Sequence, residues 1–131
     1  MALTPITITW GENDSPVVNP DGSVATGALT FVLMLDGQPV SIEDSVTGET
    51  AVPLPIVGAV NNGQLLANPV GGGPYTPLVL LANNDPTTVP VGTAYQVTEQ
   101  LVAGNLPPWL YVVHFDAAGA TQSVVSQRPT P

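Results

Sequence analysis

Hydrophobic and polar side chains alternate along two stretches in the last third of this chain, 94–99 and 109–115. A period of two is typical of a β-strand, because successive side chains point to opposite faces of the sheet. The glycine- and proline-rich segment 104–108 separates the two stretches, so we expect them to form an antiparallel pair at the centre of a β-sheet core. One face of the second strand should carry Trp109, Tyr111, Val113 and Phe115.

Shorter runs of the same kind predict further strands. Residues 6–10 alternate, and residues 28–35 are apolar on both faces, as in a central strand or in a strand whose outer face meets a partner. Asp36-Gly37 and Asn61-Asn62-Gly63 are signals for tight hairpin turns. The remaining predicted strands lie within residues 38–42, 52–60, 64–67, 76–82 and 121–126, and the segment 43–48 is predicted to be turn.

Frequent turns and abundant apolar residues together indicate an all-β protein. The chain has 15 prolines and 13 glycines among 131 residues, yet 44% of its residues are hydrophobic. No long window shows a helical apolar repeat free of glycine and proline. We therefore predict an immunoglobulin-like antiparallel β-sandwich, with a jelly roll as the alternative. A single domain should cover residues 1–126, followed by an extended tail at 127–131.

Charge is scarce and almost entirely negative. Only 8% of the residues are charged, and Arg128 is the single basic residue in a chain of net charge −9. Without lysine such a chain does not neutralise phosphates, which excludes nucleic acid and an anionic membrane surface as partners. The N-terminal residues lack the pattern of a signal peptide, and there is no cysteine. The neutral surface is either that of an ordinary monomer or one buried against other subunits, since interface cores are poor in charge.

Catalysis has no candidate beyond His114, the only histidine. It lies on the strand face opposite Trp109 and Tyr111, so we expect it to point outward, and no nucleophile motif accompanies it. We predict no enzyme activity, no cofactor and no metal. Five residues close in sequence have side-chain oxygens that could bind calcium: Glu12, Asn13, Asp14, Asn19 and Asp21. Turn formation explains these residues better, because Asn and Asp side chains hydrogen-bond their own backbone.

One exposed aromatic residue suggests a different function. Tyr75 lies in the glycine-rich segment 69–75 and is the candidate platform on which a sugar ring would stack. The alternative prediction is therefore a carbohydrate-binding β-sandwich that mediates adhesion to a host surface.

Several short motifs resemble an N-terminal module of minor tail and fibre-like proteins of tailed bacteriophages of actinobacteria. They are residues 6–9, 20–31, 84–86, 90–92 and 95–99, which include the Pro-Asp-Gly, Ala-Thr-Gly, Asn-Asp-Pro and Tyr-Gln-Val-Thr-Glu steps. The resemblance implies a non-enzymatic, multimeric β-sandwich in the virion, attached to the tail or fibre or decorating the capsid. Its partners would be other virion proteins and further copies of itself. The assembly contacts we single out are those of the tail: Arg128, Pro129, Thr130 and Pro131.

Overall fold

The computed structural model describes residues 3–11, 15–67, 73–101, 109–116, 121–125 and 127. Twelve β-strands account for the regular structure of this part of the chain. A helix that could span a membrane is not found among the described residues. The strands are β1 (Pro5–Thr9), β2 (Gly27–Leu35), β3 (Gln38–Pro39), β4 (Ile42–Asp44), β5 (Thr50–Ala51), β6 (Ile56–Asn61), β7 (Gln64–Ala67), β8 (Thr76–Leu81), β9 (Thr88–Val89), β10 (Ala94–Gln100), β11 (Trp109–Val113) and β12 (Thr121–Ser123).

Most strands belong to one curled sheet. Its nine strands run in the order β11-β10-β2-β6-β7-β8-β1-β12, with β3 paired to β2, and β11 and β12 form its two edges. All its pairs are antiparallel except that of β1 with β12. A smaller sheet of three strands has the order β5-β4-β9.

The core fills the inside of the curled sheet. On β2, Leu29 and Phe31 are fully buried, while the alternate residues are only partly covered. The neighbouring strand β10 contributes Val97 and Tyr95 in the same way. Burial of one side of each strand drives the sheet to close on itself, because apolar area removed from water stabilises by about 25 cal/mol per Å².

An aromatic cluster lies in the core, and the hydroxyl of its tyrosine joins two strands that are not neighbours in the sheet. The rings of Phe31, Tyr95 and Phe115 form a chain in which the centroid distances are 6.5 Å and 5.7 Å. The Tyr95 hydroxyl crosses from β10 to β8 and donates a hydrogen bond to the Leu81 carbonyl oxygen at 2.6 Å. Burial raises the pKa of the Tyr95 phenol, so this hydroxyl keeps its proton and remains a donor.

The prediction of an all-β sandwich is confirmed. The pair β10–β11 is antiparallel, with Val97 opposite Tyr111, and the turns at Asp36-Gly37 and Asn62-Gly63 connect adjacent strands as expected. The prediction of turn over 43–48 was wrong for residues 43–44, whereas residues 45–47 do form a turn. Residues 42–44 form β4, because this strand pairs with β5 and β9 and buries Ile42 and Asp44, a tertiary effect with no local pattern.

Candidate interaction surface

The outward side of the large sheet carries no charge. Glu99 is the only Asp, Glu, Lys, Arg or His within the nine strands, and it points inward, with an exposure of 6%. The chain has ten acidic residues in all, so their absence from this side is a matter of placement. We call the outward side of β11, β10, β2 and β6 the outer face.

Register places the side chains of the outer face in rows that cross the four strands. At the β11 edge of the outer face, Leu110 and Val112 are 51% and 53% exposed. Towards β2 and β6 the coverage increases, and Val57 is 39% exposed. The two central rows are Val112–Gln96–Val32 and Leu110–Thr98–Thr30–Val57.

Two carboxylates, those of Asp21 and Asp44, organise the backbone around them through hydrogen bonds. The Asp21 carboxylate accepts hydrogen bonds from the Ser23 hydroxyl and amide, which lower the pKa of Asp21. Asp44 accepts a hydrogen bond from the Thr87 hydroxyl at 2.5 Å and from the Thr47 amide at 2.9 Å. These bonds favour the ionised form and hold the pKa of Asp44 below its ordinary value, the Thr87 bond contributing most.

Glu99 lies at one end of the inner face, beside an open cavity. The Tyr111 hydroxyl donates a hydrogen bond to Glu99 Oε2 at 2.7 Å, which gives this buried carboxylate a polar partner. Trp10 and Asn19 also line the cavity, whose volume is about 360 Å³. Glu99 was predicted to lie on a strand but not to be a site residue. An acidic residue within an apolar alternation was the signal that could have revealed it.

His114 is exposed and follows the end of β11. One ring nitrogen, Nδ1, is 3.1 Å from the Thr93 carbonyl oxygen, and since a carbonyl only accepts, Nδ1 is the protonated nitrogen of that contact. The backbone of His114 bonds to the side chain of Gln127. No carboxylate or nucleophile among the described residues is recorded within hydrogen-bond distance of the His114 ring.

The remaining predicted site residues are not brought together. Tyr75 immediately precedes β8 and is 44% exposed, so a sugar could reach its ring. Of the tail, only Gln127 is described; Arg128, Pro129, Thr130 and Pro131 lie outside the described residues, as do Glu12, Asn13 and Asp14. No group of three or more His, Cys, Asp or Glu side chains in the described ranges is arranged to hold a metal ion.

Comparisons with known proteins add no relative. No protein-family model matches this sequence, and neither a curated protein nor a solved structure is significantly similar to it.

Proposed function

We propose that this protein is a non-enzymatic structural component of a bacteriophage virion, attached to the tail or fibre or decorating the capsid. It acts through protein–protein contacts, and the outer face is the surface that makes them. The virion role rests on the resemblance of residues 6–9, 20–31, 84–86, 90–92 and 95–99 to tail and fibre modules. The contact role rests on the structure of the large sheet.

The absence of charge from the outer face is the observation that carries the proposal. The chain has a net charge of −9, yet none of its described carboxylates lies on the outward side of the large sheet, which leaves one broad surface neutral. Cores of protein–protein interfaces are depleted in charged residues and retain aliphatic and aromatic ones. Leu110, Val112 and Val57 are the exposed aliphatic side chains of such a surface.

The size of the outer face favours assembly through several contacts. Four strands spaced by about 4.8 Å, each roughly 20 Å long, cover about 400 Å². A stable pairwise complex buries about 800 Å² on each partner. The outer face is therefore about half of what a lasting one-to-one complex requires, and tight binding would come from repeated contacts on a particle.

The test is to purify particles of the parent phage and to locate the protein in them by mass spectrometry and cryo-electron microscopy. We expect it on the particle surface, with the outer face covered by a neighbouring subunit. Because that contact contains no ion pair, the protein should stay bound when sodium chloride is raised from 0.1 to about 1 M. Its absence from purified particles would refute the virion role, and release by moderate salt would refute the uncharged contact.

A carbohydrate-binding protein is the second candidate, favoured by the cavity beside Glu99. A carboxylate, the Asn19 amide and the Trp10 ring are the kinds of group that bind sugar hydroxyls and stack on sugar rings. Binding of the chain to a glycan array should then be lost in Glu99→Gln, if the cavity is the site, or in Tyr75→Ala, if the exposed ring is. An array without any bound glycan would count against this candidate and leave the first unaffected.

A further inference from the structure

We propose that β11 pairs with β11 of a second copy, antiparallel and about a two-fold axis, to give a closed dimer. The inference rests on the proposed function, because it names a partner and a surface for the protein–protein contacts. It concerns the edge of the large sheet, where Leu110 and Val112 also bound the outer face.

The backbone amide and carbonyl groups of β11 alternate between pointing towards β10 and pointing away from it. Beyond its end, the Phe115 amide donates to Asn83 Oδ1, and the Asn83 amide side chain donates to the carbonyl of Thr93, which immediately precedes β10. Phe115 and the residues two and four positions before it therefore direct their amide and carbonyl groups towards β10. In an extended chain the groups alternate in direction, so those of His114, Val112 and Leu110 point away from β10.

The bonds of His114 confirm this direction. Its amide donates to Gln127 Oε1 at 2.6 Å, and its carbonyl accepts from Gln127 Nε2 at 2.5 Å. The Gln127 side chain thus satisfies the open edge at His114, as a neighbouring strand would. At Val112 and Leu110 no described strand lies on that side, since β11 is the end of the strand order.

The β11 edge lacks the usual protection against pairing with another strand. Natural edge strands carry a charge, a proline or a bulge, or are very short. The five residues of β11, Trp-Leu-Tyr-Val-Val, include neither a charge nor a proline, and its register with β10 is continuous. The opposite edge, β12, is protected: it has three residues, all polar.

A second copy of the chain is the partner that fits the β11 edge. With the axis at Tyr111, Leu110 of each copy faces Val112 of the other, so the strand is complementary to itself. Each of the two Leu110–Val112 pairs exchanges two backbone hydrogen bonds, and their side chains meet on the outer face. No carboxylate enters the contact, which matters between two chains of net charge −9.

Symmetry then limits the assembly to two chains. A two-fold contact uses the same edge of both copies, so no open β11 remains after pairing. Growth from the other end of the sheet would require β12, which is short and polar. The paired sheets would present two outer faces side by side, together roughly 800 Å², the size of a standard interface patch.

Sedimentation velocity of the full chain over about 10 µM to 1 mM tests the inference, because a contact of this limited area belongs to the weak, transient class. We expect the 13.4 kDa chain to convert to a species of twice that mass within the range, with little effect of salt. Leu110→Lys with Val112→Lys should abolish the dimer, since lysines would face each other across the axis. Val91→Lys is the matched control, being an exposed valine outside the strands, and should dimerise as the natural chain does.

Val112→Pro separates edge pairing from contact between faces. It removes the outward amide, which β10 does not use, and keeps an apolar side chain, so it should fold but stay monomeric. Circular dichroism of each variant checks the fold, and if the proline variant does not fold, the double lysine variant decides. A natural chain that stays monomeric to 1 mM, a proline variant that dimerises normally, or masses that grow beyond the dimer would each overturn the inference.

These results are independent of the particle experiment. A chain that is found on virions but is monomeric in solution would refute the β11 dimer and leave the proposed function standing. A chain that dimerises through β11 but is absent from particles would do the reverse.

Discussion

Replacing Tyr95 by phenylalanine should measure how much the hydrogen bond between β10 and β8 stabilises the fold. The substitution removes only the hydroxyl that donates to the Leu81 carbonyl at 2.6 Å, and the ring can keep its contacts with Phe31 and Phe115. Because β7 pairs with β8 only at Thr76 and Pro77, no strand in the described part of the chain offers Leu81 a replacement donor on that side.

The expected loss follows from the hydrogen bond and from the carbonyl that is left behind. A net intramolecular hydrogen bond contributes about 1 kcal/mol, and leaving a partly buried partner unsatisfied adds up to about 1 kcal/mol here. The free energy of unfolding should therefore fall by about 1–2 kcal/mol. With an unfolding entropy of about 2.1 cal/mol/K per residue, or about 0.28 kcal/mol/K for this chain, the midpoint temperature should drop by about 4–7 °C.

Urea denaturation followed by tryptophan fluorescence, and calorimetry for the midpoint, are the measurements. Tyr75→Phe is the matched control, because that hydroxyl belongs to an exposed residue and its removal should change stability by less than about 0.5 kcal/mol.

The Tyr95 hydroxyl also predicts a pH dependence of stability. Since burial raises the pKa of Tyr95, the protonated hydroxyl contributes fully to the free energy of unfolding below the ordinary tyrosine pKa near 10. This contribution is lost as the pH rises from there towards the raised pKa. Equal stabilities of Tyr95→Phe and Tyr75→Phe, or an unchanged alkaline limb in Tyr95→Phe, would refute the reasoning.

Two further predictions concern the backbone and the acid limb. Gly27→Ala should lower the free energy of unfolding by more than about 3 kcal/mol in the same assay, because the new Cβ would lie 2.1 Å from the Gln100 carbonyl oxygen. Gly22 also has a positive φ but open space around it, so Gly22→Ala should cost only about 1 kcal/mol. Similar costs for the two variants would contradict the steric argument. Asp44→Asn should reduce the loss of stability on acidification. The Thr87 hydroxyl lowers the pKa of Asp44, so the ionised carboxylate stabilises the fold above the ordinary pKa near 3.8, and this stabilisation disappears as the pH falls through the lowered value. An unchanged acid limb would count against that role.

Local patterning was sufficient for the central strands of the large sheet. Strands β2, β10 and β11 each alternate between buried and less buried residues over five or more positions, and the glycine turns connect neighbours in the sheet. Because the side-chain period fixes which face is buried, the inward positions of Phe31, Val97 and Val113 could be predicted as well.

The parts that sequence reasoning missed depend on contacts between distant segments. Strands β5 and β9 have two residues each, too few for any period to be visible, and they exist because both pair with β4. The parallel pairing of β1 with β12 joins segments more than a hundred residues apart. The pairing of Glu99 with Tyr111 also needed the register, which brings Glu99 beside Trp109 and leaves Tyr111 within reach on the same inner face.

The placement of the carboxylates links solubility to assembly in one physical scheme. Asp21, in a turn, and Asp44, at the end of β4, each accept hydrogen bonds that favour the ionised form, so their charge is tied to the local fold. Within a Debye length of about 8 Å at physiological salt, such charges repel other copies that approach them. The outer face and the β11 edge carry no charged side chain, and in the proposed assembly an approaching copy would meet Leu110, Val112, Val57 and neutral polar groups there. In the proposed assembly, charge would therefore discourage contact where carboxylates are exposed, and the uncharged side of the sheet would remain available for specific association.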